Sequence, residues 1–216
     1  MTELLVGAVI ALVVLAGVTT FYVSTIKTST ESLKVAKLNQ YLRAAMDLMV
    51  SDIRRAGYWA DPGNNYGASS GSNPNPFMSS AYDISIGAYS GEAANSCILY
   101  SYDLNKNGSV GIDPYVDNME LFGFRVNDKV LQMRKGSSTL DCNGGNWEGI
   151  SDDVEITGLN FLLDTNPALV VDADASTGTK TIRIRKITIT LSGRLLADPD
   201  VSHSISETVR VRNDKF

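Results

Sequence analysis

The chain has 216 residues, of which 44% are hydrophobic and 20% charged, and a formal net charge of −5. That length allows one sizeable domain plus an elongated element and is short for two independent cores. Residues 1–56 carry six Lys and Arg against four Asp and Glu, so the remaining thirteen against twenty leave the rest of the chain at −7. An acidic globular part argues against nucleic acid as the main partner, because phosphate binding needs a basic face.

The first element in chain order is an apolar run. Between Glu3 and Lys27 stand LLVGAVIALVVLAGVTTFYVSTI, 23 residues without a charge. As a helix they span about 35 Å, enough to cross a bilayer. No basic stretch precedes the run and no small-residue cleavage site follows it, so it reads as a retained helix and not as a secretory signal. Glu3 is out of place in a simple anchor, since a carboxylate at membrane depth calls for a designated partner. The available cation is the terminal amine at Met1, or that of a neighbouring copy.

Residues 27–56 are expected to continue the helix in amphipathic form. Val35, Leu38, Leu42, Met46, Met49 and Ile53 recur at spacings of three and four, which marks one buried stripe. Lys34, Lys37, Arg43, Asp47 and Arg54 fall between them, and Gly57 reads as the C-cap. A helix of this length measures about 80 Å, with residues 1–26 in lipid or a filament core and residues 27–56 held by packing on a sheet.

The residues Glu3-Leu4-Leu5-Val6, Leu15-Ala16-Gly17-Val18, Ala45-Met46-Asp47-Leu48-Met49 and Asp52-Ile53-Arg54-Arg55-Ala56-Gly57-Tyr58-Trp59 carry a family resemblance. The chain resembles mature type IV pilins, most closely the PilW-like minor pilins. The likeness is strong over about the first 60 residues and looser through Cys97–Asp103, Met119–Arg125 and Thr208–Asn213. In that family the glutamate is usually the fifth mature residue, whereas here it is the third. No proline occurs in residues 1–61, so a proline kink is not encoded. The resemblance implies a structural subunit stored in the bacterial inner membrane and assembled with other pilin subunits into an extracellular filament. It implies that a prepilin peptidase generates and methylates the terminal amine, and that Glu3 pairs with that amine, at Met1, on a neighbour. A minor, assembly-initiating subunit is the nearest match. A major filament subunit and a type II secretion pseudopilin are the near alternatives.

From residue 57 to residue 95 the chain turns to Gly, Ser, Asn and Pro, a composition that reads as a connecting surface loop. Tyr58, Trp59, Tyr66 and Phe77 are expected to tack it onto the head, residues 96–216. Strands are expected at Cys97–Tyr102, Met119–Val126, Val130–Arg134, Val154–Leu163, Lys180–Leu191 and Ser204–Arg212, with a tight hairpin at Asn127-Asp128. In Lys180–Leu191 the apolar phase slips by one residue at Arg185-Lys186, which suggests a β-bulge. The fold class is α+β, one long N-terminal helix laid on an antiparallel sheet.

Cys97 and Cys142 fit a single disulfide in an oxidising compartment, the alternative being two separate buried thiols. Asp103-Leu104-Asn105-Lys106-Asn107-Gly108-Ser109 follows the start of a calcium loop. Asp103, Asn105, Asn107 and Asp113 would supply side-chain oxygens and Ser109 its carbonyl; the alternative is an Asn/Gly turn. No nucleophile, zinc or nucleotide motif is present, and His203, the one histidine, sits in an alternating strand. Asp152-Asp153 and Asp172-Ala173-Asp174 read as solvated turns, because paired acids for catalysis must converge from separate elements. A membrane-anchored periplasmic enzyme or binding domain is the alternative of another class. It would tolerate Glu3→Leu and would not require the long amphipathic continuation.

Overall fold

The computed structural model describes residues 1–60, 75–79, 81–106, 120–136, 141–164, 168–171 and 180–213. Its first element, α1, runs unbroken over Thr2–Ile53, 52 residues, or about 78 Å. Thr28 Oγ1 donates to Ser24 O at 3.1 Å, Thr30 Oγ1 to Ile26 O at 2.9 Å and Ser32 Oγ to Thr28 O at 2.9 Å. These bonds satisfy the hydroxyls of a stretch with weak helix propensity within the helix itself. Leu38, Leu42, Met46, Met49, Val50 and Ile53 form the buried stripe. Val35, expected within that stripe, is instead 46% exposed. The sheet beneath the helix ends near Asp198, which meets Lys34, so there is little surface below Val35 to cover it.

The helix closes with tightened bonds, Arg55 N–H to Asp52 O at 3.0 Å and Ala56 N–H to Ile53 O at 3.0 Å, the usual way of using orphan carbonyls. Gly57 then takes φ +72°, and its N–H donates to Ser101 O at 2.8 Å, hooking the helix end to the second strand. The segment expected to be loop contains a 3-10 turn, Pro76–Met78, capped by the Asn75 side chain, and a short strand, β1 (Ser85–Gly87).

A five-stranded antiparallel sheet is ordered β1, β2 (Cys97–Ser101), β3 (Leu121–Asn127), β4 (Val130–Arg134), β5 (Trp147–Gly149). Its inner face contributes Ile98, Tyr100, Phe122, Phe124 and Val126 to the main core. The outer face carries Cys97, Leu99 and Trp147 in one cluster and Leu121 with Phe77, Trp59 and Tyr82 in another. Burial on both faces explains why β2 shows no polar alternation. The β3–β4 turn lies at Asp128-Lys129, both at positive φ, one residue later than expected. Asn127 pairs with Val130 across the turn, and two residues of positive φ match the twist of the flanking strands.

The second sheet is β10 (Asp198–Arg210), β9 (Lys186–Leu195), β6 (Val154–Asp164), all antiparallel. β7 (Ala168–Val171) and β8 (Lys180–Arg183) pair separately. The expected bulge at Arg185-Lys186 is therefore a break between two sheets. Residues 184 and 185 belong to neither strand, and Arg185 is buried in an ion pair with Asp83. A bulge does occur in β6, between Ile156 and Gly158. The last strand begins six residues earlier than expected, at Asp198, with a register shift before Ser202.

The core lies between the second half of α1, the inner face of the three-stranded sheet and the inner face of the five-stranded one. Gly193 on β9 is what lets the helix approach: a Cβ there would stand 3.1 Å from Leu42 Cδ2 and 3.2 Å from the Glu155 carbonyl. Gly57→Ala is expected to destabilise the chain by about 1 kcal/mol or more. The new methyl would lie 2.7 Å from Met78 Cε at a left-handed φ. Denaturant unfolding of the full chain in detergent micelles measures it, and an unchanged midpoint would contradict the hook.

Candidate assembly site

The first half of α1 has no cover. Every residue from Met1 to Leu33 is exposed, including Leu4 at 82% and Phe21 at 76%, in a helix long and apolar enough to cross a membrane. Its threonine hydroxyls turn inward. Thr19 Oγ1 donates to Leu15 O at 2.9 Å, Thr20 Oγ1 to Ala16 O at 2.5 Å and Thr25 Oγ1 to Phe21 O at 2.9 Å. These bonds take three hydroxyl donors off the surface, which suits a non-aqueous neighbour. Glu3 lies in the first turn, where unpaired N–H groups and the positive end of the helix dipole favour an anion. Within one subunit, no cation among the described residues lies in ion-pair reach of the Glu3 carboxylate.

At its other end the helix is clamped to the head through Asp52. This side chain is buried in the last turn, where the dipole disfavours a negative charge. Tyr100 Oη donates to Asp52 Oδ2 at 2.6 Å and Tyr102 Oη to Asp52 Oδ1 at 2.8 Å. Arg55 adds a cation 3.6 Å from Asp52 and lies 4.2 Å above the Tyr102 ring. Burial, and then the nearby Asp52 carboxylate, push both tyrosine hydroxyls above their ordinary range, so they remain donors at neutral pH. The Tyr102 ring stacks on Phe122 at 3.9 Å, which fixes the direction of its hydroxyl.

Two further pairs hold the flank of the helix. Lys34 Nζ meets Asp198 Oδ2 at 2.6 Å, and Lys37 Nζ meets Asp153 Oδ2 at 2.9 Å, with Tyr41 Oη donating to the same oxygen at 3.2 Å. Asp153 is therefore a helix contact and not only part of a solvated turn. The hydrogen bonds from Lys37 and Lys34 hold the Asp153 and Asp198 carboxyls below the usual range. Arg194, and then Lys129, hold Glu155 at about 2.

Cys97 and Cys142 are bridged, with Cα atoms 6.3 Å apart and a sequence separation of 45. On the chain-entropy argument a loop of that size contributes about 4 kcal/mol. Beside the bridge, the Arg125 guanidinium lies 4.3 Å from both the Tyr89 and Trp147 ring centres and donates to Cys142 O at 2.5 Å. Of the predicted calcium residues, Asp103 is buried and its Oδ2 accepts the Ala60 N–H at 3.1 Å. The Asn105 N–H points to Glu120 Oε1 at 3.4 Å, as the Leu104 N–H does at 3.0 Å. Asn107, Ser109 and Asp113 lie outside the described residues, as do Tyr66, Asp172 and Asp174. Among the described residues no group of three or more His, Cys, Asp and Glu side chains gathers as a metal site. The calcium expectation rests on sequence alone. His203 is exposed on β10.

The Asp52 clamp was not anticipated. Its signal is present: Asp52 stands three residues after Met49 on the buried stripe, and Tyr100 and Tyr102 share one face of a strand.

A family model described as prepilin peptidase-dependent protein B matches residues 31–211. A relative from Haemophilus influenzae, described as an uncharacterized protein, is 26% identical over 211 residues, covering 83% of this chain and 81% of its own. No solved structure matches significantly.

Asp52→Ala is expected to cost about 3 kcal/mol, since it strands two buried hydroxyls and removes a paired buried charge, and Tyr100→Phe about 1–2 kcal/mol. Equal midpoints in urea unfolding would remove the clamp. The depressed carboxyls stabilise the fold above the ordinary carboxylate range, and this contribution fades as pH falls through their folded values. A pH titration of unfolding should therefore fall off below about pH 4, with less fall in Asp153→Asn. An identical pH profile in that variant would contradict the Lys37 pairing.

Proposed function

This chain belongs to the prepilin peptidase-dependent protein B family, a type IV pilin-related family, and from that premise we propose that it is a minor pilin. It waits in the inner membrane with its apolar half-helix in lipid and enters an extracellular filament through the same surface, acting with other pilin subunits to start assembly. The observation that carries this reading is the bare first half of α1, uncovered from Met1 to Leu33 and apolar from Leu4 to Ile26. It supports exchange of lipid contacts for helix–helix contacts, which requires no change in the head. Glu3 is neutralised by the terminal amine of a neighbour, and this pairing sets the register of the incoming subunit. A prepilin peptidase prepares that amine. The resemblance of residues 45–59 to PilW-like minor pilins supports a minor over a major role. The chain acts as a structural protein, without catalysis of its own.

Glu3→Leu tests the proposal. The variant should fold and reach the membrane at the normal level, while its amount in sheared filaments drops at least about tenfold, equivalent to about 1.4 kcal/mol of lost pairing. Normal incorporation of the variant would remove Glu3 from assembly.

A further inference from the structure

The outer edge of β10 is the one long sheet edge left open among the described residues. The free side of β6 is occupied: Ile156 N–H donates to Lys129 O at 2.8 Å and Phe161 N–H to Asn95 O at 2.9 Å. The edges of the other sheet, β1 and β5, are three residues each. On β10, Val211 donates its N–H to Arg185 O at 3.0 Å, toward the β9 side. The register of Val209 with Ile187, Glu207 with Ile189 and Ile205 with Leu191 continues that phase. The N–H and C=O groups of Ser204, Ser206 and Thr208 therefore face away from the sheet. Arg212, in the same phase, confirms the direction by donating outward to Arg54 O at 3.1 Å.

Edges of this kind are usually blocked by proline, lysine or a bulge. Pro199 and the register shift before Ser202 guard only the start of this one. Further along, the side chains are held against β9 and not over the edge: Thr208 on Thr188 at 2.9 Å, Ser206 on Thr190 at 3.2 Å and Ser204 on Ser192 at 2.8 Å. The far end of the edge is basic, where Arg54, Arg210 and Arg212 line one concave surface.

We propose that the outer edge of β10 accepts an extended, carboxylate-bearing segment of a partner protein as an added strand, its acidic residues set against Arg54 and Arg212. Lipid headgroups are out of reach, because Arg54 stands about 40 Å along the helix from the end of the apolar run. A second copy does not fit either. β10 runs in the same direction as α1, since Lys34 meets Asp198 and Arg54 meets Arg212. Antiparallel pairing of two β10 edges would point the two apolar half-helices in opposite directions; this step rests on the proposed sharing of one membrane or filament core. Parallel pairing would bring Arg210 and Arg212 against their own copies.

The test uses the full chain in detergent micelles, apart from any filament, so it fails or succeeds independently of the minor-pilin reading. The probe is an alternating valine–glutamate peptide of about ten residues, long enough to cover the edge, read by amide hydrogen exchange. The peptide should slow exchange at Ser204, Ser206 and Thr208. Its valine–lysine counterpart, and a version methylated on alternate backbone nitrogens, should not. Arg54→Glu with Arg212→Glu should weaken binding of the acidic peptide at least about tenfold. Unchanged exchange with the acidic peptide, or equal protection by the lysine peptide, would overturn the proposal.

Discussion

A single helix has to satisfy two surroundings at once, and the rest of the molecule is arranged around that constraint. From Leu4 to Ile26 α1 offers a mainly apolar surface to whatever lies outside the subunit. From Leu38 to Ile53 it buries a stripe in the head. A helix of this length gains nothing from its own contacts in the first half, so the head must hold the second half firmly enough to fix the direction of the whole. Packing on β9 and β10 supplies the adhesion, and the close approach at Gly193 supplies the fit.

Directional control comes from polar groups at the margins of that stripe. Lys34 and Lys37 pin the side where the helix leaves the sheet, and Asp52 pins the last turn through two tyrosines from the neighbouring sheet. Exposed ion pairs contribute little individually. The Asp52 cluster is different, because its members are buried and each would be left unsatisfied by the loss of another. It also joins the two sheets through the helix: β9 and β10 lie under the stripe, while Tyr100 and Tyr102 come from β2 and its C-terminal end. The Cys97–Cys142 bridge and the Arg125 stack secure the opposite face of β2, so that this strand is held from both sides.

The long helix and the antiparallel head were legible because hydrophobic period reports them directly. Leu38, Leu42, Met46, Met49 and Ile53 fell on the stripe, whereas Val35 did not, since periodicity does not say where the underlying sheet stops. The phase slip at Arg185-Lys186 was visible but ambiguous: a bulge and a passage between two sheets leave the same pattern, and only the buried Arg185–Asp83 pair distinguishes them. The spacing of three from Ile156 to Leu159 carried the real bulge. β1 and β5, three residues each, are too short for any period to register. The clamp at Asp52 was hidden for another reason: a carboxylate on an apolar stripe looks like an exposed exception until its two hydroxyl partners, about fifty residues away, are placed beside it.

The proposed role depends on the bare half of the helix being buried among other subunits. Quantitative mass spectrometry of sheared, purified filaments measures this most directly, with the amount of this chain compared with that of the most abundant pilin. A minor pilin predicts that the chain is present, at a small fraction of the dominant subunit. Its absence from filaments, with the membrane pool intact, would contradict assembly through the helix and leave α1 as an anchor alone.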